Sequence, residues 1–470
     1  MKGRRLTRSR YLQVVPRKDG FAVYHALFGN LKLVGRGVVD LLDRFREPCL
    51  PEEAAAASPA GAGAVAAVAD LERLSFLVPE GHDERVVMDG QLRQREELLR
   101  RGHLIGALQL SISDACNFKC VYCFADRSDN RSPQRRALKE RKEKLMSLET
   151  ATLAVRSVVE NVKKNGKDRV IVKFFGREPL VNWPVMEKLM DGFGFGDSCG
   201  VNIRWDCTTN ASLITGPIAR KLGQYKANLY VSVDSVAEAN DINRPTKSGE
   251  KSFEAIDRGI KLLRQHGVTV FMSAVLSSLN FDDFDNRLVD YARSRDVDTA
   301  IVLLAMQDEY LMNQRTKSTA QIVDKLWEIY DYGRKNGVKI IGYWHNPLRR
   351  LLLQTSDDFF RQKKEDHNSC TATGFQISVE PSGDVFPCRA QSAHLGHITR
   401  FQEMLDGEPY RHQVMRTYGN VEGCRGCEVE GLCQGDCLGH LEERFGDIYT
   451  LDESFCQIYR GITRRVLERA

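Results

Sequence analysis

The stretch "DACNFKCVYCFAD", residues 114–126, sets Cys116, Cys120 and Cys123 within eight positions. Three thiols are an odd number for disulfide pairing and one short of the closed four-ligand set of structural zinc. The C-x3-C-x2-C run also has no second C-x2-C arm nearby, which counts against zinc. A cubane 4Fe–4S cluster uses thiolate sulfur, and three cysteines would leave one of its irons open to chelate a small molecule. Tyr122 precedes the third cysteine, as though a flat ring lay beside the site. A second series follows in the tail: Cys370, Cys388, then Cys424-x2-Cys427-x5-Cys433-x3-Cys437, and Cys456. Paired zinc knuckles are the competing use of such C-x2-C spacing.

The compartment decides how cysteines are read. The basic N-terminus "MKGRRLTRSRYLQVV" is not followed by an apolar h-region and cleavage site, and no 18-residue apolar run occurs, so neither a secretory signal nor a membrane span is expected. A reducing, cytoplasmic setting follows, where closely spaced cysteines are metal ligands. Ten of the 13 cysteines fall in the two groups, leaving Cys49, Cys199 and Cys207 as small buried hydrophobes. A net charge of +5 over 470 residues is too small to imply nucleic acid, and no basic–aromatic recognition stretch supports a nucleic-acid-binding zinc protein. At 42% hydrophobic and 28% charged, the chain reads as soluble and globular, with two or three domains.

The elements that must position these thiols show in the periodicity. Residues 1–95 hold two strand-like runs, "YLQVV" and "FAVYHALF", the helical "GRGVVDLLDRF", and a second amphipathic helix ending in "LERLSFLV". This order describes a small winged-helix-like domain. Over 104–345, "LQLSIS", "VIVKFFG", "NIRWDCTTN", "LYVSVDS", "VTVFMSAVL" and "DTAIVLLAM" alternate with helical stretches. Six apolar strands in that rhythm predict an α/β fold, a parallel sheet closed or partly closed into a barrel. Active sites of such folds gather at the carboxyl ends of the strands, and the three-cysteine stretch directly follows the first strand. The basic stretch 127–144 reads as a solvated insertion. Over 346–470 the rhythm stops, and cysteines and glycines predict a small domain organised by metal rather than by core alone.

"CNFKCVYC" resembles the signature of the radical S-adenosylmethionine (SAM) superfamily. "FFGREP" resembles that family's GGEP motif, with Arg177 replacing the second glycine. "CTTNAS" resembles its TNG element, and "VSVDS" with the later "NRP" its SxDG…R element. The resemblance implies a partial (β/α)6 barrel and a SAM-binding 4Fe–4S cluster on Cys116, Cys120 and Cys123. It also implies SAM contacts from Tyr122, Gly176, Glu178, Asn210, Ser232, Asp234 and Arg244. The chemistry implied is reductive cleavage of SAM to a 5′-deoxyadenosyl radical that removes a hydrogen atom from an unactivated carbon. The tail resembles the seven-cysteine SPASM domain of peptide- and protein-modifying radical SAM enzymes. Carried over, Cys424, Cys427, Cys433 and Cys456 would hold an outer auxiliary 4Fe–4S cluster, and Cys370, Cys388 and Cys437 an inner one. Three clusters in all are expected, with an electron donor such as a flavodoxin or ferredoxin. The fourth position on the inner cluster is either a non-cysteine ligand such as Asp366 or His367, or an open iron for a substrate thiolate.

For the substrate, sulfatase maturases similar to this chain carry a basic aspartate just after the second SPASM cysteine, where this sequence has Arg389. The N-terminal domain resembles the recognition elements of peptide maturases, which add a leader strand to a sheet edge. A maturase of a ribosomal precursor peptide is therefore expected, forming a thioether first and a carbon–carbon bond second. The alternatives are oxidation of a protein substrate, as in formylglycine formation, and a non-catalytic chaperone that binds the precursor.

Overall fold

The computed structural model describes residues 3–58, 62–99, 102–125, 144–305, 317–353, 370–433 and 435–469, with Arg136 and Glu140 besides. Most of the basic insertion, and both Asp366 and His367, lie outside the described residues. At the N-terminus, β1 (Leu6–Arg8) pairs antiparallel with β5 (Leu77–Pro79), while β2 (Leu12–Arg17), β3 (Gly20–His25) and β4 (Leu31–Val34) form an antiparallel meander. The two runs read as strands are β2 and β3. The other three strands span only three or four residues, too few for an alternation to register. The Ala-rich stretch splits into helices Pro51–Ala56 and Ala62–Arg73. The second does not run on through "LSFLV", because Ser75 takes a left-handed φ of 60° that ends it, and the following residues become β5. Leu6, Val23, Leu42, Phe45, Val68 and Phe76 close a core belonging to this module.

The six strands expected of the barrel are β6 (Ala107–Ser113), β7 (Arg169–Gly176), β8 (Asn202–Thr209), β9 (Asn228–Ser232), β10 (Thr269–Leu276) and β11 (Thr299–Leu304). They lie side by side in that order, every neighbour parallel. Every residue of β6 is buried, as a parallel strand covered on both faces must be. Helix Leu148–Lys164 shows how the cover forms. Ser147 caps it by accepting from the Thr150 N–H, and Ala151, Ala154, Val155, Val158 and Val162 make its buried stripe.

The sheet continues past both ends of this series. β12 (Lys339–Ile341) extends it parallel to β11. β13 (Gln376–Val379) pairs parallel with β6, followed by antiparallel β14 (Asp384–Phe386) and β15 (Gly396–His397), for ten strands in one sheet. The cysteine-rich tail thus shares both sheet and core with the barrel. Helix Glu453–Arg469 buries Phe455, Ile458, Tyr459, Ile462 and Val466 in that common core. Apolar anchoring therefore stands beside whatever a metal contributes to the tail. The long amphipathic period of that last helix was the overlooked signal.

The N-terminal module docks on the tail. Tyr11, Ala22, Tyr24 and Leu27 pack with Leu351, Val429, Leu432 and Leu467, against Cys424, Cys427 and Cys433. The Gly431 N–H donates to Ala26 O at 2.8 Å, and a Cβ on Gly431 would stand 1.8 Å from Leu27 O. Only glycine allows that approach. Arg85 pairs with buried Glu430 and donates to Gly419 O at 3.0 Å.

Candidate active site

A cavity of about 1240 Å³ opens at the carboxyl ends of β6 to β11. Cys116, Cys120 and Cys123 line it on the loop after β6. That loop is pinned from outside: the Lys119 N–H donates to Pro245 O and the Val121 N–H to Asn243 O, both at 2.9 Å. Asn117 is fixed by Asn210 Nδ2 at 2.9 Å and itself donates to Ser212 Oγ at 2.8 Å. Burial raises the Cys116 thiol and pushes Cys120 up to about 12, with the neighbouring thiols adding to the rise.

Of the seven residues expected to contact SAM, Tyr122, Gly176, Asn210, Ser232 and Arg244 line the cavity. Glu178 and Asp234 are fully buried behind it. Asp234 accepts from the Tyr122 hydroxyl, from Arg244 Nη2 at 3.0 Å and from the Val275 N–H at 2.8 Å, with Asn243 Nδ2 at 3.4 Å. The Arg244 guanidinium lies 5.2 Å from the Tyr122 ring centroid. Glu178 has the matching role beyond the end of β7: it accepts from the Leu180 N–H, the Thr209 hydroxyl at 2.7 Å and the Asn210 N–H at 2.8 Å. Burial pushes its carboxyl up to about 6 against those three donors. These two carboxylates hold the residues that face the cavity.

Gly176 has φ +120°, and a Cβ there would stand 2.3 Å from Ser113 O. Position 177 makes no such demand, since Arg177 does not take a left-handed φ. The arginine in "FFGREP" is therefore accommodated, and its side chain lines the cavity near Cys116.

The far wall of the same cavity carries Cys388 and Cys437 of the tail. Cys437 lies in the electrostatic field of Cys370 and Cys388, and Tyr343, on the cavity wall, lies in that of all three. Cys424, Cys427, Cys433 and Cys456 form a second neighbourhood, each within the field of at least one other. The structure thus gathers the tail cysteines as three and four. Between the two ends of the cavity, Lys173 Nζ donates to Gln376 Oε1 at 3.0 Å, and burial lowers its pKa. Lys173, Arg204, Asp206, Tyr343 and His345 also face the cavity and carry no motif that sequence reading could have used. His345 is pushed down to about 4 by burial, which keeps its imidazole neutral at physiological pH.

Iron–sulfur clusters fit these residues. None of these cysteines is in a disulfide, and burial holds most of their thiols protonated, so that a thiolate needs a metal to persist. Backbone N–H groups point at two of the sulfurs, Phe118 at Cys116 Sγ (3.3 Å) and Gly435 at Cys433 Sγ (3.2 Å). Arg389, in contrast, is no base. It is buried, donates to Asp114 Oδ1 at 3.3 Å and faces Glu380 at 3.7 Å.

Residues 110–289 match the radical SAM superfamily, and residues 370–428 match the SPASM iron–sulfur cluster-binding domain, so the chain is a radical SAM enzyme with a SPASM domain. It is 28% identical over 474 residues to the radical SAM cyclopropyl synthase TigE of Paramaledivibacter caminithermalis, a match covering 100% of this chain and 97% of that one. A cysteine-type anaerobic sulfatase-maturating enzyme of Clostridium perfringens is 24% identical over 362 residues, 74% of this chain and 92% of its own. The fold is shared with Streptococcus suis SuiB bound to its precursor peptide SuiA, at a TM-score of 0.54 and 15% identity, covering 96% of this chain and 100% of that one. Among the described residues no helix is long and apolar enough to cross a membrane.

Proposed function

We propose that this enzyme modifies a precursor peptide by closing a carbon–carbon bond within it, a cyclopropyl ring in one side chain being the foremost product. The observation that carries this reading is the single cavity that joins the Cys116–Cys123 loop to Cys388 and Cys437. At about 1240 Å³ it exceeds the usual small-ligand pocket of about 300–1,000 Å³, leaving room for a peptide segment beside SAM. The order of products differs from the sequence expectation because likeness along the whole chain is to a cyclopropyl synthase. The buried ion pairs of Arg389 speak against formylglycine formation by an aspartate at that position.

In this reading Cys116, Cys120 and Cys123 would hold one 4Fe–4S cluster, Cys370, Cys388 and Cys437 a second, and Cys424, Cys427, Cys433 and Cys456 a third. When bound, the first cluster and SAM supply a primary carbon radical that takes a hydrogen atom from an unactivated C–H bond. Tyr122 and Arg244, locked by Asp234, and Asn210, locked by Glu178, shape the SAM-facing wall. Gly176 lets the backbone approach. Ring closure removes a second hydrogen as a proton and an electron. Lys173, which faces the cavity, would take the proton, and clusters held by the tail cysteines would supply an acceptor for the electron. The β4 edge of the N-terminal module would receive the leader, and a flavodoxin or ferredoxin would supply the first electron.

Incubation with SAM, dithionite and the precursor encoded beside the enzyme is expected to yield 5′-deoxyadenosine and a peptide lacking two hydrogens, with its cysteines still alkylatable. Loss of an alkylatable thiol would instead establish the second reading, a thioether. That reading is favoured by the set of three thiols at the inner site. SAM cleavage absent from fully iron-loaded protein would leave only precursor binding.

A further inference from the structure

Among the described residues, Arg416 is the one buried cation whose charge the fold surrounds with cysteines from both tail sets. Its side chain has no exposure to solvent, and only Nε has a partner, donating to Ile448 O at 3.0 Å. Nη1 and Nη2 are buried with no hydrogen-bond acceptor among the described residues. A guanidinium left so would be costly in an apolar interior, since buried charges need a counter-charge and their donors need acceptors. Its electrostatic neighbours are Cys424 and Cys433 of the set of four, Cys370 of the set of three, and Asp436. Gly435, between Cys433 and Cys437 in sequence and at φ +76°, leaves the space: a Cβ there would stand 3.0 Å from Nη1 and 3.2 Å from Nη2. Both cysteine sets and the glycine between them thus converge on the fork of one arginine.

Resting on the two auxiliary clusters of the proposed function, we propose that Arg416 is a positioning residue shared by both. Its Nη1 and Nη2 groups donate to cluster or thiolate sulfur, and its charge raises both reduction potentials so that the pair can accept the electron released by the substrate. The physical basis is general. Hydrogen bonds to sulfur and nearby positive charge stabilise the more negative, reduced state of a cluster. Arg416 also offers two parallel donors in a rigid fork, which a lysine cannot.

The test uses the full chain with Cys116, Cys120 and Cys123 changed to alanine, so that only auxiliary clusters contribute, and reads their potentials by electron paramagnetic resonance during redox titration. Arg416→Gln is expected to retain about eight irons and to shift both potentials to more negative values, with Arg416→Lys in between. In the enzyme with all clusters, Arg416→Gln should keep SAM cleavage while product formed per SAM cleaved falls. If Arg416→Gln loses its auxiliary iron, Arg416→Lys carries the measurement, and iron kept by lysine but not glutamine supports the charge. Potentials unchanged in either loaded variant, or equal iron loss in both, overturn the inference. Absence of auxiliary iron from the parent protein would instead overturn the proposed function on which it rests.

Discussion

Asp234 never reaches the cavity, yet the orientation of two cavity residues depends on its carboxylate. Asp234→Asn replaces an acceptor oxygen with a donor that must face Arg244 or the Tyr122 hydroxyl. Removing one partner of a buried pair strands the other, at a cost of about 3–5 kcal/mol. We expect the variant to retain its iron while 5′-deoxyadenosine formation falls by about a hundredfold, the scale of a 1 Å misplacement of reacting groups. Cleavage at the parent rate would remove the Tyr122–Arg244 frame from the mechanism. Sequence reading found Asp234 and Glu178 by their places in motifs. It could not tell that they stand behind the wall, because a motif records identity and spacing but not which side of a strand end a side chain takes. Arg416 lay beyond it entirely. No spacing announces an arginine whose importance comes from loops that converge on it in three dimensions.

At the scale of elements, the six barrel strands were legible because each is a long apolar run between amphipathic helices. β12 and β13, which flank the six-strand series on either side, were not: they are three and four residues long and lie in sequence that reads as irregular. The β4 edge gives a discriminating experiment. Leu33 is 62% exposed there, and β4 pairs only with β3 among the described residues. Leu33→Asp should cost no more than about 0.5 kcal/mol of stability, as surface changes usually do. If this edge takes the leader, the variant should raise the KM for full-length precursor about tenfold or more, a loss of about 1.4 kcal/mol of binding. SAM cleavage should not change. An unaltered KM would place leader recognition elsewhere. Gly431→Ala tests a different joint, where the new methyl group meets Leu27 O of the N-terminal module. Overpacking at a backbone contact of this kind costs about 1–3 kcal/mol or more. The expected readout is a lower unfolding temperature together with faster loss of iron from the outer site on exposure to a chelator.

Across the whole molecule, anaerobic reconstitution should give about twelve irons per chain, falling to about eight when Cys116, Cys120 and Cys123 become alanine. Stoichiometric zinc with little iron would defeat the assignment. The docking of the module on Cys424, Cys427 and Cys433 also means that deleting residues 10–90 would bare the outer cysteines, so a truncated enzyme that fails to modify peptide says little about recognition. The same contact has a consequence for biosynthesis. The strands that cover the outer site are made well before its cysteines, which are spread from 424 to 456. Glycine at 431 lets the cover approach the loop carrying Cys427 and Cys433 at backbone distance. Seating of the N-terminal module is thus tied to the shape of the cysteine-bearing loop beneath it.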